Sequence, residues 1–235
     1  MTEQTGPQVL HVTDRSEVPG ALASLGLGGE RPVLVSVGGA AGMDEQHLRA
    51  LRDLLRDHVV PVLSRHGVLV VDGGTDSGVM KVMGEAVQGT DVVLLGVAAS
   101  GTVTVPGRTP TNQDAAPLDP HHRAILLVPG RQWGDESPWI AAVAGTAAGA
   151  RASATLVVNG GNVTYDDARH SVEARRPLVV VAGTGRAADE IAAAVRGADA
   201  DQRAQSIAAS GLVHLVDVDA PHDTATTVET LLTRC

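Results

Sequence analysis

The chain repeatedly runs from a short stretch of branched apolar residues into a glycine-rich break and out into apolar residues at helical spacing. The stretches are VLVSV (33–37), VLVV (68–71), VVLLGV (92–97), AILLV (124–128), TLVV (155–158), LVVV (178–181) and LVHLV (212–216). Each is a continuous apolar run, as expected of a strand covered on both faces. Between the first two, Leu48, Leu51, Leu55, Val59 and Leu63 recur every three or four residues, with Asp44 placed to cap the helix start and Gly67 to end it. Pro61 should kink that helix near its last turn. Val79, Val82, Met83 and Ala86 repeat the spacing after the second stretch, and RAADEIAAAVRG (186–197) does so after the sixth. Strands alternating with helices imply right-handed crossovers, so the expected fold class is α/β, a doubly wound and mostly parallel sheet with helices on both faces. Ligands of such sheets bind beyond the carboxyl ends of the strands.

A chain of 235 residues can bury one large core, and no linker, low-complexity tract or internal repeat divides it, so a single domain over 1–235 is expected. The first thirty residues offer one more strand (VLHV, 9–12) and a helix (EVPGALASL). Residues 98–123 form the one long stretch without periodicity, a length that usually marks a functional or mobile loop. Aromatics make up only 1% and Phe is absent, so the core must be built from Val, Leu, Ile and Ala. A formal charge of −9 without clustered Lys or Arg argues against nucleic-acid or anionic-membrane partners. Cys235 is the only cysteine, which leaves no internal disulfide and no cysteine-based metal site. MTEQTGPQVL lacks the regions of a signal peptide, and no apolar run nears the roughly 20 residues that span a bilayer. A cytoplasmic, soluble protein is the expectation.

Glycine permits positive φ and close approach of a ligand to the backbone, while the helix that follows offers unpaired N–H groups and a positive dipole end. Such an anion cradle is written at SVGGAAGM (36–43), DGGTDSGVM (72–80), VVNGGNVTYDD (157–167) and VAGTGRAADE (181–190), although any one of them reads equally well as a tight turn. Gly73 and Gly78 have the spacing of a P-loop, but Val79-Met80 stands where Lys-Ser or Lys-Thr is needed, which argues against nucleoside-triphosphate hydrolysis. Gly183-Thr184-Gly185-Arg186-Ala187-Ala188 matches the relaxed dinucleotide fingerprint without an acid about 20 residues on. Arg186 is either a two-pronged phosphate contact or a solvated first-turn arginine. Asp76 and Asp189 are either acceptors of ribose hydroxyls or caps. His121-His122 are adjacent and precede a strand, away from the ligand edge, which favours a structural or surface role over metal binding. Trp133 and Trp139 flank GDESP, where an indole can stack on a base or simply pack. No nucleophile elbow or zinc-protease helix occurs.

In order, LVSVGG, DGGTDSGVMKVMGEA, LLGVAASGTV, HHRAILLV, WGDE, LVVNGGN and RPLVVVAGTGRAADEIA resemble the cytosolic amino-terminal region of melastatin-type TRP channels and its free-standing prokaryotic relatives. That family belongs to the SLOG superfamily, with the Lonely Guy phosphoribohydrolases and the DNA-processing protein A family. The resemblance covers about residues 30–197. It implies a Rossmann-like sheet and a nucleotide-derived ligand, such as ADP-ribose or another NAD-related metabolite, at the strand ends. It places Gly73, Gly74, Thr75, Ser77, Gly78 and Val79 on the pocket and Arg186, after Gly183-Thr184-Gly185, near phosphate.

The full ligand-contacting set expected from residues and resemblance is Gly38, Gly39, Gly73, Gly74, Thr75, Ser77, Gly78, Val79, Gly101, Thr102, Glu136, Gly160, Gly161, Gly183, Thr184, Gly185, Arg186 and Asp189, with neither metal nor cofactor. Two departures bear on function. Glu136 keeps the family's glutamate, yet SPWIAAVAGTAAG carries no basic residue where the channels have arginines. The hydrolases' Pro-Gly-Gly-x-Gly-Thr-x-x-Glu motif is replaced by Ala182 to Asp189, and Arg169 is the nearest substitute for their basic pair. Binding without turnover is therefore expected, by a ligand sensor that forms a homo-oligomer. The alternative is a phosphoribohydrolase-like N-glycosidase in which Asp189 supplies the carboxylate.

Overall fold

A computed structural model describes residues 6–39, 43–105 and 112–234. Cys235, the middle of the 36–43 break, residues 106–111 of the long loop and the first five residues lie outside the described part. The strands are β1 (Gln8–His11), β2 (Val33–Gly38), β3 (Leu69–Asp72), β4 (Val93–Ala99), β5 (Val103–Thr104), β6 (Ala116–Pro117), β7 (Ala124–Val128), β8 (Ser153–Val158), β9 (Leu178–Ala182) and β10 (Val213–Asp217). The helices are α1 (Val18–Ser24), α2 (Glu45–Asp53), α3 (Val60–Arg65), α4 (Gly78–Ala86), α5 (Ser137–Ala148), α6 (Asn162–Glu173), α7 (Arg186–Val195), α8 (Gln202–Ala208) and α9 (Pro221–Leu232).

All seven apolar stretches and the VLHV segment enter one eight-stranded parallel sheet of order β1-β7-β4-β3-β2-β8-β9-β10, while β5 and β6 pair separately within the long loop. This is the doubly wound α/β fold expected. Successive residues alternate between two cores: Val33, Val35 and Val37 of β2 face α1, α5, α6, α7 and α8, whereas Leu34 faces α2 to α4 and α9. Strands sandwiched in this way need apolar side chains at every position, which explains the unbroken runs. Among the described residues no helix is long and apolar enough to cross a membrane.

Asp44 caps α2 as expected, its Oδ1 accepting the His47 N–H at 2.9 Å, and Gly67 follows α3 at φ +59°. Pro61 acts differently from the expected kink. Leu54–Val59 widen into a π-helical segment that joins α2 to α3, and the Val60 N–H reaches the Leu55 carbonyl. Proline cannot donate and its ring crowds the carbonyl four residues back; a wider turn accommodates both without ending the helix.

The sheet's order reverses direction between β2 and β8. From β2 the chain moves outward through β3, β4 and β7, then returns to β8 and continues through β9 to β10. Parallel sheets open a crevice at such a reversal, because the helices on either side leave in opposite directions. Here the two backbones meet closely: the Gly39 N–H donates to the Val158 carbonyl at 3.0 Å, and a Cβ on Gly38 would lie 1.8 Å from that oxygen, with Gly38 at φ +135°. Gly38→Ala is therefore expected to lower stability by at least about 3 kcal/mol, from a backbone clash and an unfavourable φ combined. Gly39→Ala, whose added methyl would sit 3.5 Å from Asn159 Oδ1, should fold with nearly unchanged stability. Urea denaturation of the two variants checks the contrast.

Candidate functional site

The crevice floor is formed by Gly38-Gly39 after β2 and Asn159-Gly160-Gly161 after β8. A Cβ on Gly39 would lie 3.6 Å from Gly160 Cα, so two backbones without side chains face each other. Arg186, exposed at the start of α7, stands beside them: its Nη2 is 3.0 Å from where a Cβ on Gly161 would be. It makes no ion pair or hydrogen bond through its side chain with any described residue. Its φ is +54°, in the left-handed region that an arginine occupies only at a cost of about 1–2 kcal/mol.

The loops after β8 and β9 are clasped by Asn159, which is itself at φ +51° and buried. Its N–H donates to Thr184 Oγ1 (2.8 Å), its Nδ2 donates to the Thr184 carbonyl (2.6 Å) and its Oδ1 accepts the Gly160 N–H (2.7 Å). The first donors of α7 are also taken, since Ala187 and Ala188 donate to the carbonyls of Gly160 and Asn159. Asp189 fills the expected 183–185 cradle from within: Oδ1 accepts from Gly183 N–H at 2.7 Å and Oδ2 from Gly185 N–H at 3.1 Å. In this loop the anion held by glycine N–H groups is the protein's own carboxylate. Asp189, in the first turn of α7, thus reaches back to hold the N–H of that helix's N-cap residue, Gly185, together with that of Gly183.

The Gly73–Ser77 loop rests on a buried ionic triad. His122 Nε2 lies 2.8 Å from Asp72 Oδ1 and Nδ1 lies 3.1 Å from Asp119 Oδ1, and all three side chains are fully enclosed. Asp72 Oδ1 also accepts the Gly74 N–H at 2.7 Å. Burial opposes charge on His122, but the Asp72 charge and hydrogen bonds to Asp119 and Asp72 outweigh it and raise its pKa to about 9. Burial likewise works against ionised Asp119, yet His122 and the His121 N–H hold its pKa below the usual value. The structural role expected for the histidine pair holds for His122, but its position is corrected: it reaches the carboxyl end of β3 beneath the glycine loop. Above the triad, the Asp76 N–H donates to the Pro117 carbonyl, Thr75 bridges to Leu118, and Asp76 pairs with Lys81 at 3.0 Å. Asp76 is not the cap of α4, whose N-cap residue is Ser77 and carries no side-chain cap bond. Gly74 is confined by packing, because a Cβ there would meet Gly96 Cα at 2.9 Å.

After β7, Asp135 Oδ2 accepts from Arg131 N–H (2.7 Å) and Gln132 N–H (3.0 Å), while both Glu136 oxygens receive the Gly134 N–H at 3.1 Å. Glu136 is buried, which raises its pKa. Asp167 on α6 lies near it beside Ser137, in a small enclosed space also lined by Arg176. Burial, reinforced by the Glu136 charge and partly offset by Ser137, pushes Asp167 up to about 7, and its Oδ1 has no hydrogen-bond partner. Trp139 packs against the core with the Arg15 guanidinium 5.6 Å from its ring centre, whereas Trp133 is 39% exposed.

The structure thus divides the expected residues. Gly39, Gly161, Gly185 and Arg186 gather at the crevice, and Gly73, Ser77 and Gly78 are reachable beside it. Gly74, Thr75, Val79, Gly101, Thr102, Glu136, Gly160 and Thr184 are buried and support the loops. Gly38 and Asp189 serve backbone contacts. Sequence reasoning missed Asn159, though an asparagine before two glycines tolerates left-handed φ, and missed Asp72 and Asp119, whose only signal is an acid at a strand end and another in DPHH. Among the described residues no group of three His, Cys, Asp or Glu side chains is arranged to hold a metal ion.

A family model described as SLOG in TRPM, prokaryote, matches residues 31–226. No curated protein matches the chain. Of the solved structures, the X-ray structure of TM1055 is similar with a TM-score of 0.55 at 16% identity, covering 85% of this chain and 99% of its own. The molybdenum cofactor binding protein of the phototrophic bacterium Rippkaea orientalis has a TM-score of 0.54 at 11% identity over 87% of this chain and 99% of its own. The molybdenum cofactor carrier protein of Chlamydomonas reinhardtii has 0.55 at 18% identity over 87% and 100%. At these identities the likeness is one of fold.

Two pH windows follow from the buried groups. His122 has a folded pKa above its unfolded value, so its contribution is complete below about pH 6.5 and lost as pH rises through about 9. The wild-type urea midpoint should fall over that range by the equivalent of about 3 kcal/mol, and His122→Gln should be less stable and lack this fall. Asp167 also has a raised folded pKa; as an acid it loses its contribution between about pH 4 and pH 7. Asp167→Asn should therefore gain about 2 kcal/mol or more over wild type at pH 8 and little at pH 4.5. Denaturation curves at four pH values measure both effects.

Proposed function

The chain belongs to the prokaryotic SLOG-in-TRPM family, and from that premise we propose that it binds a nucleotide-derived ligand, ADP-ribose or another NAD-related metabolite, in the crevice between β2 and β8. The observation that carries this reading is the side-chain-free backbone where Gly39 faces Gly160 and Gly161 faces the guanidinium of Arg186, which pairs with no described residue. A phosphate needs several donors within reach. The N–H groups of Gly39, Gly160 and Gly161 are held by the Val158 carbonyl, Asn159 and Thr164, so what bare glycine supplies is close approach; the start of α6 adds the positive end of a dipole, and Arg186 adds a planar fork that matches two phosphate oxygens. A left-handed arginine costs stability, and a phosphate contact is a reason to retain it. Two structural neighbours are themselves named for binding or carrying the molybdenum cofactor, which accords with a small-molecule ligand on this fold.

Binding without turnover is favoured over N-glycosidic hydrolysis because both oxygens of Asp189 are committed to glycine N–H groups. A carboxylate so engaged is poorly suited to exchange protons with a substrate. We take the protein to be a cytoplasmic sensor that passes occupancy to a partner through a homo-oligomer. Calorimetry with ADP-ribose, cyclic ADP-ribose, NAD and AMP, alongside chromatography for released adenine, tests this; release of adenine would favour the hydrolase.

Variants at one residue separate binding from folding. Arg186→Ala should weaken affinity by roughly tenfold to a hundredfold, the worth of one hydrogen-bonded charge, and Arg186→Lys should recover only part. Arg186→Gly should bind as weakly as alanine yet melt at or above the wild-type temperature, since glycine relieves the left-handed strain. An alanine variant that binds as tightly as wild type would remove the arginine from the site.

A further inference from the structure

We propose that β10 is the surface on which a second copy of this chain docks, the two strands pairing antiparallel about a two-fold axis at Leu215 so that both sheets become one. This goes beyond the ligand reading and does not depend on it. The eight-stranded sheet ends in two open edges, β1 and β10. Where β10 pairs with β9, the Leu178 N–H reaches the Leu212 carbonyl and the Val218 N–H reaches the Ala182 carbonyl. Alternate residues of a strand aim their backbone groups to opposite sides, so Val213, Leu215 and Asp217 turn theirs outward, where the sheet has no further strand. The Asp217 carbonyl also accepts the Ala220 N–H at 3.0 Å, which leaves it a second lone pair. Such a row is a template for another strand.

The two edges differ in how they are guarded. β1 has four residues and begins directly after Pro7, which has no N–H to offer, whereas Leu212 to Asp217 contain no proline, lysine or arginine. Leu212, Val213 and Leu215 pack against the core yet stay only half-buried. Burial and the nearby Arg234 charge both lower the pKa of His214, which keeps it neutral at pH 7. The edge is therefore apolar and uncharged up to Asp217.

The occupant is a second copy because this edge is complementary to itself. Centred on Leu215, an antiparallel pair sets Leu215 against the partner's Leu215 and Val213 against the partner's Asp217, all outward-facing residues, so each pair exchanges both backbone bonds. The acidic end of the strand at Asp217 then meets the end that lies beside the partner's Arg234, and the match repeats at the other end. α9, which packs on β10, exposes Thr226 and Thr230 one turn apart and carries no charge between Asp223 and Glu229. Like charges are not brought together there.

Sedimentation velocity of the wild-type protein without nucleotide, from micromolar to millimolar concentration, is expected to show a monomer–dimer equilibrium. Leu215→Pro removes an outward N–H and no bond to β9, so it should fold by circular dichroism while its dimer dissociation constant rises by about a hundredfold or more. Val213→Lys, a milder guard, should raise the constant by about tenfold or more, and His11→Lys on β1 should leave it unchanged. In a Cys235→Ser background, Leu215→Cys should be joined across the axis by a short bis-maleimide and His11→Cys should not. If Leu215→Pro fails to fold, Val213→Lys and the cross-link decide. A wild-type protein that stays monomeric at millimolar concentration, a dimer that survives Val213→Lys, a dimer that His11→Lys dissociates, or a Leu215→Cys protein that resists cross-linking would overturn the proposal. No nucleotide is present, so these outcomes are separate from those that decide the crevice.

Discussion

The approach of β2 to β8 at Gly38 is the constraint on which the rest of the molecule depends. No side chain fits there, because the Val158 carbonyl occupies the space a Cβ needs. The contact closes the sheet at the point where its order reverses, and it fixes the separation of the two loops that leave it. A larger residue would push the strands apart and widen a part of the edge where both backbones are bare. The crevice is consequently a by-product of strand pairing, shaped by the same hydrogen bonds that hold the core together.

Around this crevice the protein satisfies most of its loop donors with its own carboxylates. Asp189 fills the loop after β9, Asp135 and Glu136 that after β7, and Asp72 the first turn of the loop after β3. Each binds backbone N–H groups much as a bound anion would, and each removes a loop from the list of places where a ligand's charge is needed. Between β2 and β8 the glycine N–H groups are held instead by the Val158 carbonyl, Asn159 and Thr164, and the arginine beside them pairs with no described residue. A protein of net charge −9 thus keeps a local positive corner by spending acids elsewhere on its frame.

The strands were legible because both faces are buried, which forces an apolar run that no solvated segment shows. The reversal of order was not legible, since pairing between β2 and β8 joins segments about 120 residues apart without a local signal. At the site, glycines announced the loops but not their contents. Whether an N–H group meets a ligand or an internal acid depends on Asp189 reaching back along the chain, and periodicity is silent on such returns. The same holds for His122, whose partner Asp72 lies fifty residues away. Family resemblance supplied the superfamily and an arginine near phosphate. It did not separate reachable glycines such as Gly161 from buried ones such as Gly74.

The π-helical segment before Pro61 has a further meaning when the sequence is viewed as a matter of phase. Leu51, Leu55, Val59 and Leu63 recur at every fourth residue and are all completely buried. On a regular α-helix a repeat of four drifts around the axis by about 40° each time, so the last of these leucines would have rotated about a third of a turn away from the first. A wider turn carries more residues per revolution and brings the repeat back into line. The widening therefore does more than make room for a proline: it keeps one continuous stripe of the helix in step with the flat surface of the sheet beneath it.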